Sequence, residues 1–212
     1  MRRSPKGTGA IGPAVGAVLA GGGGRRIGGT KAAVELAGRP LIFYPLAAVE
    51  AAGLEAIVVA KRDSALPSLG CPLIEEPERP RHPLCGIVAA LRYAGGRPLI
   101  AIGCDMPFVP PALLSWLASV PQPLAVPTLE GHPQPFPARY SRGLLPALEQ
   151  GLANLQSMRR TIESLGPLLL EEEELAAFGD PGRLCFNVNT LEDLRKAEEL
   201  LGATRGEPPR TV

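Results

Sequence analysis

A chain of 212 residues with 45% hydrophobic and 20% charged side chains carries enough apolar material for one globular domain and is neither disordered nor fibrous. Its 22 basic and 21 acidic residues leave a formal net charge of +1, which gives no global attraction to nucleic acid or to an anionic membrane. Aromatics make up only 4% of the chain, which disfavours a stacking platform for single-stranded bases.

Residues 1–13 and 203–212 are rich in proline, glycine and arginine and are expected to fray, leaving a single domain with its core over about residues 14–202. The start is basic and then apolar, as in a secretory leader. Gly9, Gly12, Pro13 and Gly16 break that apolar part, and no run is long enough to span a membrane. A cytoplasmic location is expected. "AVGAVLA" (14–20) reads as a first strand and "RPLIFYPLAAVEAAG" (39–53) as a helix stopped by Gly53. "LEAIVVA" (54–60) and "CPLI" (71–74) follow as strands, and "LCGIVAALRYAGG" (84–96) as a helix ended by two glycines. "PLIAIG" (98–103) has the unbroken apolar character of a parallel strand buried on both faces. A proline-opened helix is expected over 110–120, a strand over 123–128, and helices over 142–151, 157–165 and 191–202. This alternation predicts an α/β fold with a Rossmann-like, doubly wound, mostly parallel sheet and helices on both faces. Ligand is then expected beyond the carboxyl ends of the strands.

"VLAGGGGRRIGGTK" (18–31) follows the first strand and spends six of fourteen positions on glycine. Walker A spacing fails, because Lys31 follows Thr30 and precedes Ala32. The dinucleotide fingerprint fails too, because Arg26 or Ile27 falls where its last glycine is required. "GTGAIG" (7–12) has the right letters but precedes the strand. No GxSxG elbow occurs. What remains is a glycine loop holding Arg25 and Arg26 and ending in Lys31. Backbone N–H groups there can approach an anion closely while the cations neutralise a polyphosphate. A flexible turn with solvated charges is the alternative. In "AIGCDMPFVP" (101–110), Asp105 sits just past a buried strand, where a carboxylate can hold Mg²⁺ against phosphate oxygens. Its alternative is an Asx-turn capping the next helix.

The runs "LAGGGGRRIGGTK", "HPLCGI" (82–87), "CDMPF" (104–108), "QPFPARYS" (134–141) and "FNVNTLEDL" (186–194), in that order, resemble the molybdenum cofactor guanylyltransferases, the MobA-like branch of the nucleotidyltransferase fold. The resemblance spans about residues 15–201. It implies transfer of GMP from GTP to the terminal phosphate of molybdopterin, with release of pyrophosphate and formation of molybdopterin guanine dinucleotide. Leu19, Ala20, Gly21 and Gly22 would line the nucleotide pocket, and Arg26 and Lys31 would contact the triphosphate. Glu76 would contact the nucleotide, and Asp105 would bind Mg²⁺, the implied cofactor. Asn187 and Asn189 would lie near metal and acceptor, with Gln134 and Pro135 near the pterin. The implied partners are GTP and molybdopterin or its metallated form, with a GTP-binding accessory protein or a molybdoenzyme chaperone as further possibilities. Neither nucleic acid nor membrane is implied.

Thr30, His82 and Leu191 stand where the family usually has aspartate, glycine and proline, and Glu76 adds a methylene to an aspartate. None of these removes a cation or the metal carboxylate. Two other readings stay open: a related enzyme using CTP or another phosphorylated acceptor, and a nucleotide-binding protein without turnover. His82 and His132 read as solvated loop residues, "EEEEL" (171–175) as the first turn of a short helix, and Trp116 as a packing residue. Arg159 and Arg160 belong either to the acceptor site or to a solvated helix face. Cys71, Cys85, Cys104 and Cys185 form no CxxC pair and are expected as buried free thiols.

Overall fold

The computed structural model describes residues 13–22 and 31–205; "GTGAIG" and loop residues 23–30, Arg26 among them, lie outside the described residues. The chain begins with β1 (Val15–Leu19), the short pair β2 (Glu35–Leu36) and β3 (Arg39–Pro40), and α1 (Phe43–Ala51). It continues through β4 (Glu55–Ala60), β5 (Leu73–Glu75), α2 (Pro83–Ala94), β6 (Leu99–Gly103) and α3 (Pro111–Ser119). Then come β7 (Leu124–Leu129), β8 (His132–Pro133), β9 (Ala138–Tyr140), α4 (Leu145–Ala153) and α5 (Met158–Ser164). The last elements are β10 (Leu168–Leu170), α6 (Glu172–Leu175), α7 (Pro181–Leu184) and α8 (Leu191–Arg205).

The main sheet has the order β10-β7-β9-β6-β1-β4-β5, with β8 paired to β7. β9 runs antiparallel to both neighbours, while β5, β4, β1 and β6 are parallel and β7 is parallel to β10. The expected doubly wound, mostly parallel sheet is therefore present. Alternate strand residues enter opposite cores, because successive side chains point to opposite faces. Val18, Val58, Ile100 and Ile102 pack with α1 and α3 through Val49, Leu113 and Leu117. Ala17, Ile57, Val59, Leu99 and Ala101 pack with α2, α4 and α5 through Ile87, Leu91, Leu148 and Ile162. The chain moves from β1 to β4 and β5 on one side, then crosses to β6 on the other. That reversal opens a crevice beyond the paired ends Leu19 and Gly103.

Gly16 sets how closely α1 approaches β1. A Cβ there would lie 2.4 Å from Val49 Cγ1. Gly16→Ala is expected to destabilise the protein by about 1–3 kcal/mol through overpacking. Denaturant unfolding checks this: the midpoint should fall, and Val49→Ala in the same chain should restore part of it.

Several expectations need correction. The helix expected from residue 39 starts at Phe43, because Arg39–Pro40 pairs with Glu35–Leu36 across Ala37 and Gly38. Both of these have positive φ (49° and 77°), the geometry of a two-residue hairpin turn. His82 is not a free loop residue. It caps α2, its Nδ1 accepting the Leu84 N–H at 3.2 Å. His132 lies on β8, with Nδ1 3.0 Å from Arg159 Nη2. Arg159 also pairs with Glu163 along α5, and both Arg159 and Arg160 are exposed. Cys85, Cys104 and Cys185 are buried free thiols, but Cys71 is only half-buried. Trp116 packs against Phe178 with ring centroids 6.0 Å apart, as a packing residue should. "EEEEL" does open a short helix: Glu171 and Glu174 form a reciprocal capping box on α6.

Candidate active site

A cleft of about 560 Å³ lies beyond the carboxyl ends of β1, β4 and β6. Leu19, Gly21, Gly22, Lys31, Glu76, Asp105 and Asn187, all marked out by the sequence, line it. Ala20 is buried in the core instead of lining the cleft. Gln134 and Pro135 are not among the lining residues. The Gln134 amide donates to the His132 carbonyl, the Pro135 carbonyl accepts from Tyr140, and Phe136 is the member of that segment that reaches the cleft.

One end of the cleft centres on the Lys31 ammonium. Lys31 Nζ donates to Asp105 Oδ2 at 2.7 Å and also to Asn189 Oδ1. The Lys31 and Asp105 side chains are 18% and 15% exposed, so this pair is screened far less than a surface one. Asp105 takes no part in capping α3, whose cap position is Pro110 without a side-chain bond. The expected helix-cap alternative is thereby removed. The Asp105 carbonyl also accepts the Val188 N–H at 2.9 Å, which ties the "NVNT" loop to the end of β6. From the other side, Asp193 Oδ2 accepts the Asn189 and Thr190 N–H groups at 2.9 and 2.8 Å. Burial pushes the Asp193 carboxyl up, but these N–H bonds, the Thr190 side chain and the Lys196 charge together outweigh it and hold the group below its ordinary value. Asn189 is thus placed by backbone contacts at both ends of its loop.

Asp105 Oδ2 and Asn189 Oδ1 converge on a single cationic atom. Two hard oxygens focused on one point form a donor set that suits Mg²⁺, which takes few protein ligands and completes its shell with water and phosphate. Cys104 beside them is no nucleophile. Burial, helped by the Asp105 charge, pushes its thiol up to about 12.

The other end of the cleft holds a second, more deeply buried pair that includes a residue the sequence reading passed over. Lys61 Nζ lies 3.3 Å from Glu76 Oε1, with side chains 10% and 8% exposed. Burial raises the Glu76 carboxyl above its usual range, opposed by the Lys61 charge. Two glycines flank this carboxylate closely. A Cβ on Gly21 would lie 1.8 Å from Glu76 Oε1, and one on Gly86 would lie 3.0 Å from Oε2. Asp63, Ser64, Arg81 and His82 complete this end of the lining. The signal for Lys61 was available: it follows the apolar "AIVVA" directly, as Asp105 follows β6.

The MobA-like NTP transferase domain family matches this chain over residues 16–168. A relative named "Probable molybdenum cofactor guanylyltransferase" from Pelotomaculum thermopropionicum is 31% identical over 198 residues, covering 91% of this chain and 95% of its own. "Molybdenum cofactor guanylyltransferase" from Cereibacter sphaeroides is 34% identical, covering 88% and 96%. Among solved structures, the molybdopterin-guanine dinucleotide biosynthesis protein A of Archaeoglobus fulgidus superposes with a TM-score of 0.75 at 28% identity, covering 89% and 98%.

Proposed function

The chain belongs to the MobA-like NTP transferase family, and from that premise we propose that it transfers GMP from GTP to the terminal phosphate of molybdopterin. The observation that carries this reading is the pairing of Lys31, Asp105 and Asn189 at one end of a cleft whose other end holds a buried carboxylate, Glu76. A nucleotide needs both: charge neutralisation for its phosphates and a polar edge for its base.

An oxygen of the molybdopterin phosphate attacks the α-phosphorus of GTP in line. The bond from that phosphorus to the bridging oxygen of the β-phosphate breaks, and pyrophosphate leaves with the electron pair. Charge placement contributes most of the acceleration, as in other phosphoryl transfers. Asp105, with Asn189 beside it, would hold Mg²⁺, which supplies Lewis-acid neutralisation of phosphate oxygens when bound. Lys31 now neutralises Asp105. With nucleotide in the cleft, its ammonium would turn to the α-phosphate oxygens and stabilise their charge in the transition state. Arg26 would add a contact to the triphosphate. Asn187, which lines the cleft and donates to the Cys185 carbonyl at 2.8 Å, would face the acceptor side, with Phe136 from the neighbouring segment also lining the cleft. Glu76, as a carboxylate, would accept from guanine N1–H and the exocyclic amine. The buried free thiols suit a reducing compartment such as the cytoplasm.

The test is pyrophosphate release by the purified protein with Mg²⁺ and molybdopterin, comparing GTP, CTP and ATP. Release with GTP alone is expected. Release with CTP would retain nucleotidyl transfer and overturn the guanine assignment, while no release with any of them would overturn the enzymatic reading.

A further inference from the structure

Lys61 is nine-tenths buried at the carboxyl end of β4, in a cleft where Lys31 already serves the phosphate side. Its ammonium reaches Glu76 Oε1 at 3.3 Å, the Pro77 carbonyl at 2.9 Å and the Glu78 carbonyl at 3.5 Å. The polar contacts of this ammonium among the described residues all lie in the segment 76–78. These contacts hold Lys61 against Glu76 and the chain just after it.

Glu76 has little freedom of its own. Its two carboxyl oxygens fill the spaces that side chains on Gly21 and Gly86 would otherwise occupy. A carboxylate so poorly hydrated is driven toward its neutral form, and the nearby Glu78 charge adds to that drive. Only the Lys61 charge opposes it. The two protonation states read different bases. An anionic carboxylate accepts from guanine N1–H and amine, and it repels the N1 lone pair of adenine. A protonated carboxyl donates to adenine N1 and accepts from its amine, while losing one of the two acceptors that guanine needs.

Building on the guanine reading above, we propose that Lys61 is the positioning residue for base choice: it keeps the Glu76 carboxylate anionic and oriented between Gly21 and Gly86, so that the cleft takes guanine and refuses adenine. Other titratable groups lie near this carboxylate. Asp63, Arg81 and His82 share the cleft lining, and the Cys85 thiol on α2 is pushed up by burial and by the Glu76 charge. These neighbours are present in the native protein and in its Lys61 variants alike, so the comparison between them bears on the Lys61–Glu76 pair.

The experiment measures GTP and ATP dissociation constants with the full chain and Mg²⁺, without acceptor, from mildly acidic to mildly alkaline pH. The native protein, Lys61→Met and Lys61→Arg are compared, with thermal melting to establish that each is folded. The native preference for GTP should be flat with pH. Lys61→Met should reduce it about 10- to 100-fold at neutral pH, the range expected for one charge-assisted hydrogen bond. The preference should return as pH rises and Glu76 ionises, and Lys61→Arg should restore the flat profile. A Lys61→Met variant with unchanged selectivity overturns the proposal. So does one whose loss is equal at every pH, which would mark a purely structural lysine. If Lys61→Met does not fold, Glu76→Gln replaces it. Its selectivity should be lost at all pH values, and retained selectivity overturns the proposal. A native protein with no preference for GTP instead removes the guanine reading itself and the role of Lys61 with it.

Discussion

Asp105→Ala is expected to lower pyrophosphate release from GTP and molybdopterin by about three orders of magnitude, roughly 4 kcal/mol of transition-state stabilisation. The carboxylate stands at the end of β6, opposite Lys31 and beside Asn189, and no second carboxylate touches that lysine among the described contacts. Removing it would take away the carboxylate proposed to hold a divalent ion. It also leaves the Lys31 ammonium, only 18% exposed, with an amide oxygen as its remaining described partner. Nucleotide binding should persist but lose its dependence on Mg²⁺. Calorimetric titration of GTP with and without the metal checks this. Binding by Asp105→Ala that stays fully Mg²⁺-dependent would remove Asp105 from the metal role. The fold should tolerate the change, because Asp105 anchors Val188 through its backbone carbonyl and alanine keeps that bond.

Lys31→Met is expected to reduce turnover by about 10²–10³-fold, the usual cost of losing one preorganised charge aimed at a transition state. Methionine keeps most of the aliphatic stem, so packing around the neighbouring Ala32 is preserved and the loss is one of charge. A second readout separates this variant from Asp105→Ala. The ammonium occupies the point on which Asp105 and Asn189 converge, so a metal held by these oxygens would compete with lysine for them. Lys31→Met should therefore bind Mn²⁺ more tightly than the native protein in the absence of nucleotide, whereas Asp105→Ala should bind it more weakly. Electron paramagnetic resonance of free Mn²⁺ distinguishes the two directly. Equal Mn²⁺ affinity in native protein and Lys31→Met would show that the ion binds elsewhere.

β1, β4 and β6 were legible in the sequence because runs such as "AIVVA" and "PLIAIG" have no stable place except a sheet covered on both faces. The β2–β3 hairpin was not. Its turn places Ala37 at positive φ, which a residue with a Cβ adopts only when its surroundings hold it there. Those surroundings are tertiary: Leu36 and Leu41 pack against Val188 and Ala197, more than a hundred residues away in the chain. β10 was missed for a related reason, since three residues earn strand geometry only by pairing with β7. Gln134 was singled out because its segment carries a recognisable run of residues. The chain direction there turns Phe136 into the cleft and Gln134 back toward His132.

Local composition alone determined the layer architecture, the glycine-rich stretch after β1, and the acidic residue past the end of β6. Each depends on neighbours within a few positions: hydrophobic period, backbone freedom, and a polar group where a buried run stops. Only the tertiary structure decided which groups face one another. The contact of Lys31 with Asp105 joins residues 74 positions apart, and its contact with Asn189 joins residues 158 apart. Glu76 needed still more context, since its charge balance depends on burial, on Lys61 and on Glu78, and its place on two glycines from β1's loop and from α2. Burial and charge pairing are properties of three-dimensional proximity, and a carboxylate written in a sequence has neither until the chain has closed around it.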